Sequence, residues 1–247
     1  MTDPASPDFM RKGVFSCYRP ASPDAKMPAR QKELSEADWR EFYFLAHADK
    51  KKAWDRYSSY YKTTNGQLYW SDSHQLSAYV DDYHAEVSAR MKERDKATEV
   101  ISELYVPRDR HAAFMEEVRA YALEKKMDLV YGTVRLIEKD DESVLAWARE
   151  PWICTIVNLH VVHTAEGLQK AQREFRDLID LALTHGGSYS LTYHRWATKE
   201  QVLKAHPRFV EFMKLKRKFD PERRFRSEWY RHYADMFSSE LTATKAP

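Results

Sequence analysis

The chain has 247 residues and six glycines, where a share of about 7% would supply roughly 17. The six stand at 13, 66, 132, 167, 186 and 187 and form no G-x-G, so neither a Rossmann turn nor a P-loop can be built. Forty Lys/Arg against 38 Asp/Glu leave a formal +2, too balanced for a nucleic-acid partner, and 43% hydrophobic residues promise a folded core.

Residues 1–34 hold five of the ten prolines and read as an irregular lead-in with an apolar anchor at Val14–Tyr18. Its first residues lack the apolar stretch of a secretory signal. Residues 35–95 read as a mainly helical segment. Ser35 is its expected N-cap, with Asp38 in the first turn. Trp39, Phe42, Ala46, Ala53, Tyr57 and Tyr60 follow at helical spacing, and Asn65-Gly66 ends the helix or helix pair. Residues 67–70 suggest a short strand, and 76–91 a helix.

Residues 96–247 read as an α+β domain. Strands are expected at 98–106, 128–138, 152–163 and 188–193. Helices are expected at 107–126, 142–148, 164–185, 199–205 and 207–218. The order predicts an antiparallel or mixed sheet with helices packed on one face, as two βαβ-like halves of a ferredoxin-like arrangement. Two distant cysteines, Cys17 and Cys154, make no disulfide or metal pattern and fit a cytoplasmic chain. No apolar run approaches the length of a membrane span, so no membrane partner is expected.

Strand side chains alternate between two faces. Val130, Val134 and Leu136 share one face of the second strand, and Tyr131, Thr133 and Arg135 the other. In the third, Ile153, Val157, Leu159 and Val161 oppose Cys154, Asn158 and His160. In the fourth, Tyr189, Leu191 and Tyr193 oppose Ser190, Thr192 and His194. The apolar faces should meet the helices. The polar faces either floor a ligand site containing Arg135, Thr133, Asn158, His160, Thr192 and His194, or are simply solvated. Arg135 is either free for a ligand or paired with Glu99 or Glu103. His160 and His163 project to opposite faces, so no metal pair is expected.

The stretch from Gly186 to Val202, with His194-Arg195-Trp196, is followed by Lys218-Phe219-Asp220-Pro221 through Phe225. These motifs resemble the C-terminal part of FAD-linked oxidases of the vanillyl-alcohol-oxidase type, in the branch of aldonolactone and alditol oxidases. The resemblance spans residues of about 98–233. Thr133-Val134-Arg135 stands where that family has Glu-x-Arg, so the family's carboxylate is replaced by a threonine.

The resemblance implies a substrate or cap domain whose glycine-rich FAD-binding domain lies outside this sequence. It implies FAD as a cofactor only when that domain is supplied, and a hydroxylated small molecule as substrate: a sugar lactone, polyol or alcohol. Arg135 would be the fixed cation and His194 or His160 the proton acceptor. Thr133, Asn158, His160 and Thr192 would bind substrate, and Tyr193 and Trp196 would contact the flavin. No metal is implied. Two other readings remain at this point: a non-catalytic ferredoxin-like interaction domain, and the remnant of a truncated flavoenzyme gene.

Overall fold

The computed structural model describes residues 1–70 and 80–242. The chain forms two compact units, Met1–Thr98 with Leu129–Tyr131, and Glu99–Asp128 with Gly132–Pro247.

The first unit holds α1 (Glu36–Ala48), α2 (Lys50–Lys62) and α3 (Tyr83–Met91). Ser35 closes a capping box on α1: its hydroxyl accepts the Asp38 N–H at 3.2 Å, and the Asp38 carboxylate accepts the Ser35 N–H at 3.2 Å. Asp49 leaves helical geometry, separates α1 from α2, and caps α2 by accepting the Lys52 N–H at 2.9 Å. The helices meet through aromatic rings, with Phe42 edge-on to Tyr57 at 5.5 Å and Tyr43 against Tyr83 at 4.3 Å. Arg40 bonds both Glu36 and Glu86, which ties α1 to α3. Removing the cap with Ser35→Ala should lower stability by about 1 kcal/mol, read as a shift of the urea midpoint at constant slope.

Three expectations change in this unit. The buried anchor of the lead-in is Phe9, not Val14–Tyr18, where Phe15 is 90% exposed. Residues 67–70 form no strand: the Gln67 backbone N–H closes a turn on the Thr64 carbonyl at 3.1 Å, and its side-chain Oε1 accepts the Lys32 N–H at 3.1 Å. Of the helix expected at 76–91, residues 76–79 lie outside the described residues, 80–82 are loop and turn, and α3 supplies Tyr83–Met91.

The second unit carries most of β1 (Ala97–Pro107), α4 (His111–Glu124), most of β2 (Leu129–Ile137), β3 (Trp152–Val162), α5 (Ala165–Thr184) and β4 (Ser188–Tyr189). The strands form an antiparallel sheet in the order β2-β3-β1-β4. This succession and order make a ferredoxin-like α+β arrangement. In β4, Tyr189 pairs with Leu104 and Ser188 with Tyr105. One sheet face buries Leu104, Val106, Val157, Leu159 and Val161, and α4 and α5 bury Phe114, Val118, Phe175, Leu178 and Ile179. The β3 residues expected to face the helices do so because β3 lies inside the sheet.

β2 lies at the sheet edge, and there the expectation fails. Val134 and Leu136 are 52% and 67% exposed rather than packed on helices. The opposite face is not simply polar either. Tyr105, Ile137, Ala148, Trp152, Cys154 and Ile156 form a second apolar cluster there. Residues 142–148 form no helix, because the Asp140 carboxylate accepts the N–H groups of Glu142 and Ser143 at 3.0 and 2.9 Å and holds a turn.

After β4 come α6 (Lys199–Ala205), α7 (Phe209–Phe219), α8 (Glu228–Met236) and α9 (Ser238–Thr242). Phe209 is fully buried, with ring centroids 5.2 Å from Tyr233 and 5.0 Å from Phe237. The cluster around Trp229 and Tyr233 thus belongs to this unit's own core. Among the described residues no helix is long and apolar enough to cross a membrane.

Candidate functional site

The sheet order decides which residues meet. β3 lies between β2 and β1, so Cys154 stands between Arg135 of β2 and Glu103 of β1. The Cys154 thiol is buried and donates to Glu103 Oε1 at 3.0 Å. Burial and the Glu103 carboxylate push that thiol far up its range, while the positive field of Arg135 opposes them. Cys154 is therefore a neutral hydrogen-bond donor and not a nucleophile.

The row continues beyond Glu103. The Ser190 N–H donates to the Glu103 carbonyl at 2.8 Å, which carries the chain past β4 to Tyr193. Burial first, and then the nearby Glu103 carboxylate, raise the Tyr193 phenol; Arg135 pulls it down. Tyr105 is raised by burial and by the same carboxylate. An exposed guanidinium, a buried thiol, a carboxylate and a half-exposed phenol thus lie together across the sheet. The Glu103 carboxylate is engaged by Cys154, Tyr105 and Tyr193, so the row offers a neutral hydroxylated ligand the exposed Arg135 guanidinium and, by displacing those contacts, the Tyr193 donor and the Glu103 acceptor.

Other expected site residues fall elsewhere. Asn158 and His160 share the Cys154 face but lie roughly 13 and 20 Å along β3, at about 3.3 Å per residue. They cannot share one small ligand with Arg135. The buried Asn158 Oδ1 has no hydrogen-bond partner, and the His160 N–H donates to the Asp128 carbonyl at 3.0 Å. Thr133 lies two residues from Arg135 on β2, nearer than either. Thr192 is exposed, and its N–H reaches Ser190 Oγ at 3.4 Å.

His194 and Trp196 leave the site altogether. β4 is only two residues long, so strand alternation stops before residue 190 and the chain turns inward. His194 is buried with its ring 4.5 Å from Phe175 and 5.5 Å from Trp196. Burial holds its pKa down at about 4, so it is neutral at neutral pH. Trp196 packs on Phe175 at 5.1 Å, and its carbonyl accepts from Arg176 Nε at 2.7 Å. His194 is a buried residue, and Trp196 is a partly buried packing residue against it.

The closing motif also has a structural task. The Asp220 carboxylate pairs with Lys216 and accepts the N–H groups of Arg224 and Phe225 at 2.8 and 3.1 Å. It stops α7 and shapes the turn into α8. Sequence alone placed Glu103 only as a possible partner of Arg135. The alternation of Glu99, Glu103 and Tyr105 along β1 was the available signal.

The glycines do not cradle a dinucleotide. A Cβ at Gly167 would strike the Val162 carbonyl, and one at Gly187 the Tyr105 carbonyl, so both serve close backbone packing. The Gly167 N–H is taken by the Thr164 cap at 3.1 Å. The Gly187 N–H is likewise taken, by the Ala182 carbonyl at 2.9 Å, so neither of these two glycines offers its N–H to a phosphate. Among the described residues no group of three His, Cys, Asp or Glu is placed to hold a metal. No protein-family model matches the chain, and no curated protein matches it.

Proposed function

We propose that this chain is the substrate-side domain of an FAD-linked oxidoreductase acting on a hydroxylated small molecule. The dinucleotide would be held by a glycine-rich domain outside this sequence. The observation that carries the reading is the row Arg135, Cys154, Glu103 and Tyr193, which supplies charge and hydroxyl-binding groups on one sheet face. The closing-segment resemblance supports it. Arg135 supplies a fixed positive charge, suited to a developing alkoxide. Tyr193 donates to a ligand oxygen, and Glu103 accepts a ligand hydroxyl where Thr133 has no carboxylate to offer. With His194 buried and His160 roughly 20 Å along β3 from Cys154, proton acceptance beside Arg135 does not fall to either histidine. Two free cysteines suit a cytoplasmic chain.

The purified chain should be colourless, and stoichiometric flavin absorbance in it would overturn the reading. In complex with the polypeptide that carries FAD, Arg135→Ala should lower kcat by about 100-fold. Its exposed position leaves the fold intact. Unchanged kcat would remove Arg135 from the chemistry. The burial of His194 favours a second reading, a non-catalytic ferredoxin-like binding domain. That reading predicts no turnover with any flavoprotein partner.

A further inference from the structure

The balanced charge of the whole chain conceals a local excess. Between Lys214 and Arg231 eight Lys/Arg stand against three Asp/Glu. The three carboxylates are consumed locally: Asp220 by Lys216 and the turn, Glu222 by Arg224, and Glu228 by Arg231. Lys214, Lys218, Arg223 and Arg226 have no carboxylate within ion-pair distance among the described residues. Two phenylalanines project among these cations, Phe219 at 79% and Phe225 at 78% exposure. Beside them lies a cavity of about 400 Å³ lined by Phe212, Phe225, Trp229 and Tyr230, with Lys216 and Arg226.

The patch has charge and hydrocarbon but almost no directional polar groups. The Trp229 Nε1–H is already donated to the Leu191 carbonyl at 2.7 Å, and Ser227 caps α8 by accepting the Tyr230 N–H at 3.2 Å. A peptide or a nucleic-acid base is read through matched hydrogen bonds. A fluid anionic surface needs only positive charge and apolar side chains to insert.

We propose that the α7–α8 turn is a peripheral docking surface for an anionic phospholipid bilayer. Phe219 and Phe225 would enter the interface, the free cations would engage the headgroups, and the neighbouring cavity would accept an acyl segment. This goes beyond the reading of the sheet site and does not depend on it.

The test is sedimentation of the full chain with phosphatidylcholine vesicles containing about 30% phosphatidylserine, at about 0.1 M salt. Binding is expected, with none to phosphatidylcholine alone. Phe219→Ser with Phe225→Ser, and separately Lys218→Glu with Arg226→Glu, should each weaken it about tenfold or more. Exposed side chains leave the melting temperature unchanged; if the phenylalanine pair lowers it, Phe219→Ser alone is read in its place. Absence of binding to the anionic vesicles overturns the proposal. So does full binding by the phenylalanine variant, which would reveal mere charge attraction. Tighter binding to a single-stranded oligothymidylate than to the vesicles overturns it in favour of nucleic acid.

Discussion

Gly187→Ala should destabilise the second unit by about 3 kcal/mol or more, a cost at the upper end of overpacking. α5 ends at Thr184, and Gly186 follows with φ of 76°, the left-handed region. The Gly187 N–H donates to the Ala182 carbonyl at 2.9 Å and the Gly186 N–H to the Leu183 carbonyl at 3.0 Å. These two bonds form a Schellman motif. The two glycines are needed for different reasons. Gly186 supplies the left-handed turn, and its replacement by alanine should cost about 1 kcal/mol. Gly187 lies against β1, and a Cβ there would overlap the Tyr105 carbonyl and come within 2.8 Å of the Ala182 carbonyl. Both obstacles are backbone, which cannot rotate away. Gly13→Ala is the control, since nothing lies within 4 Å of its Cβ position. Urea unfolding of the three variants should rank them 187, 186, 13, and equal midpoints for Gly187→Ala and wild type would refute the close-packing account.

Acidification should unfold the protein through its buried histidines before its carboxylates titrate. His194 and His206 are both held at about 4, first by burial. The His206 Nε2–H donates to the Tyr189 carbonyl at 2.9 Å, a bond that by itself favours the protonated ring, but burial outweighs it. Arg149 nearby further disfavours its protonation. An unfolded histidine titrates near 6.5. Below that pH the unfolded chain takes up protons that the folded chain refuses, so stability falls as pH drops. The loss begins near pH 6.5 and is complete below about 4, reaching about 3 kcal/mol for each histidine. His111 and His232 are also lowered by burial and act in the same direction. The measurement is the urea midpoint between pH 7 and pH 4. His194→Leu should remove close to half of the fall, because the leucine has no proton to bind. A pH slope unchanged in that variant would show that the carboxylates dominate.

These two predictions divide the sequence reading. The helices at Glu36–Ala48, Lys50–Lys62, His111–Glu124, Ala165–Thr184, Lys199–Ala205 and Phe209–Phe219, the three long strands and the α+β class were legible, because caps and periodicity are local properties, whereas the helices at Glu228–Met236 and Ser238–Thr242 were not foreseen. Ser35-x-x-Asp38 announces a capping box, and Leu168, Ala171, Phe175, Leu178 and Ala182 announce one buried helix face. The helix expected at 142–148 was not legible as a turn, because Asp140 competes for its backbone. The candidate site was half legible. Arg135 and Tyr193 were singled out, but Glu103 entered only as a possible ion-pair partner. His194 was placed on a strand that ends earlier, and Trp196, expected at the flavin, packs on Phe175.

What the sequence determined by itself is the scarcity of glycine and its consequence. Six glycines, none in a phosphate-binding arrangement, exclude a Rossmann turn and a P-loop in this chain. The tertiary structure decided what the adjacent pair is for, and which polar residues meet. Alternation says which side chains share a face of one strand, but strand order says what covers that face. The order β2-β3-β1-β4 sets Cys154 between Arg135 and Glu103, exposes Val134 and Leu136 at the edge, and brings the Tyr105 carbonyl against Gly187. Those contacts join residues dozens of positions apart, and no local spacing encodes them.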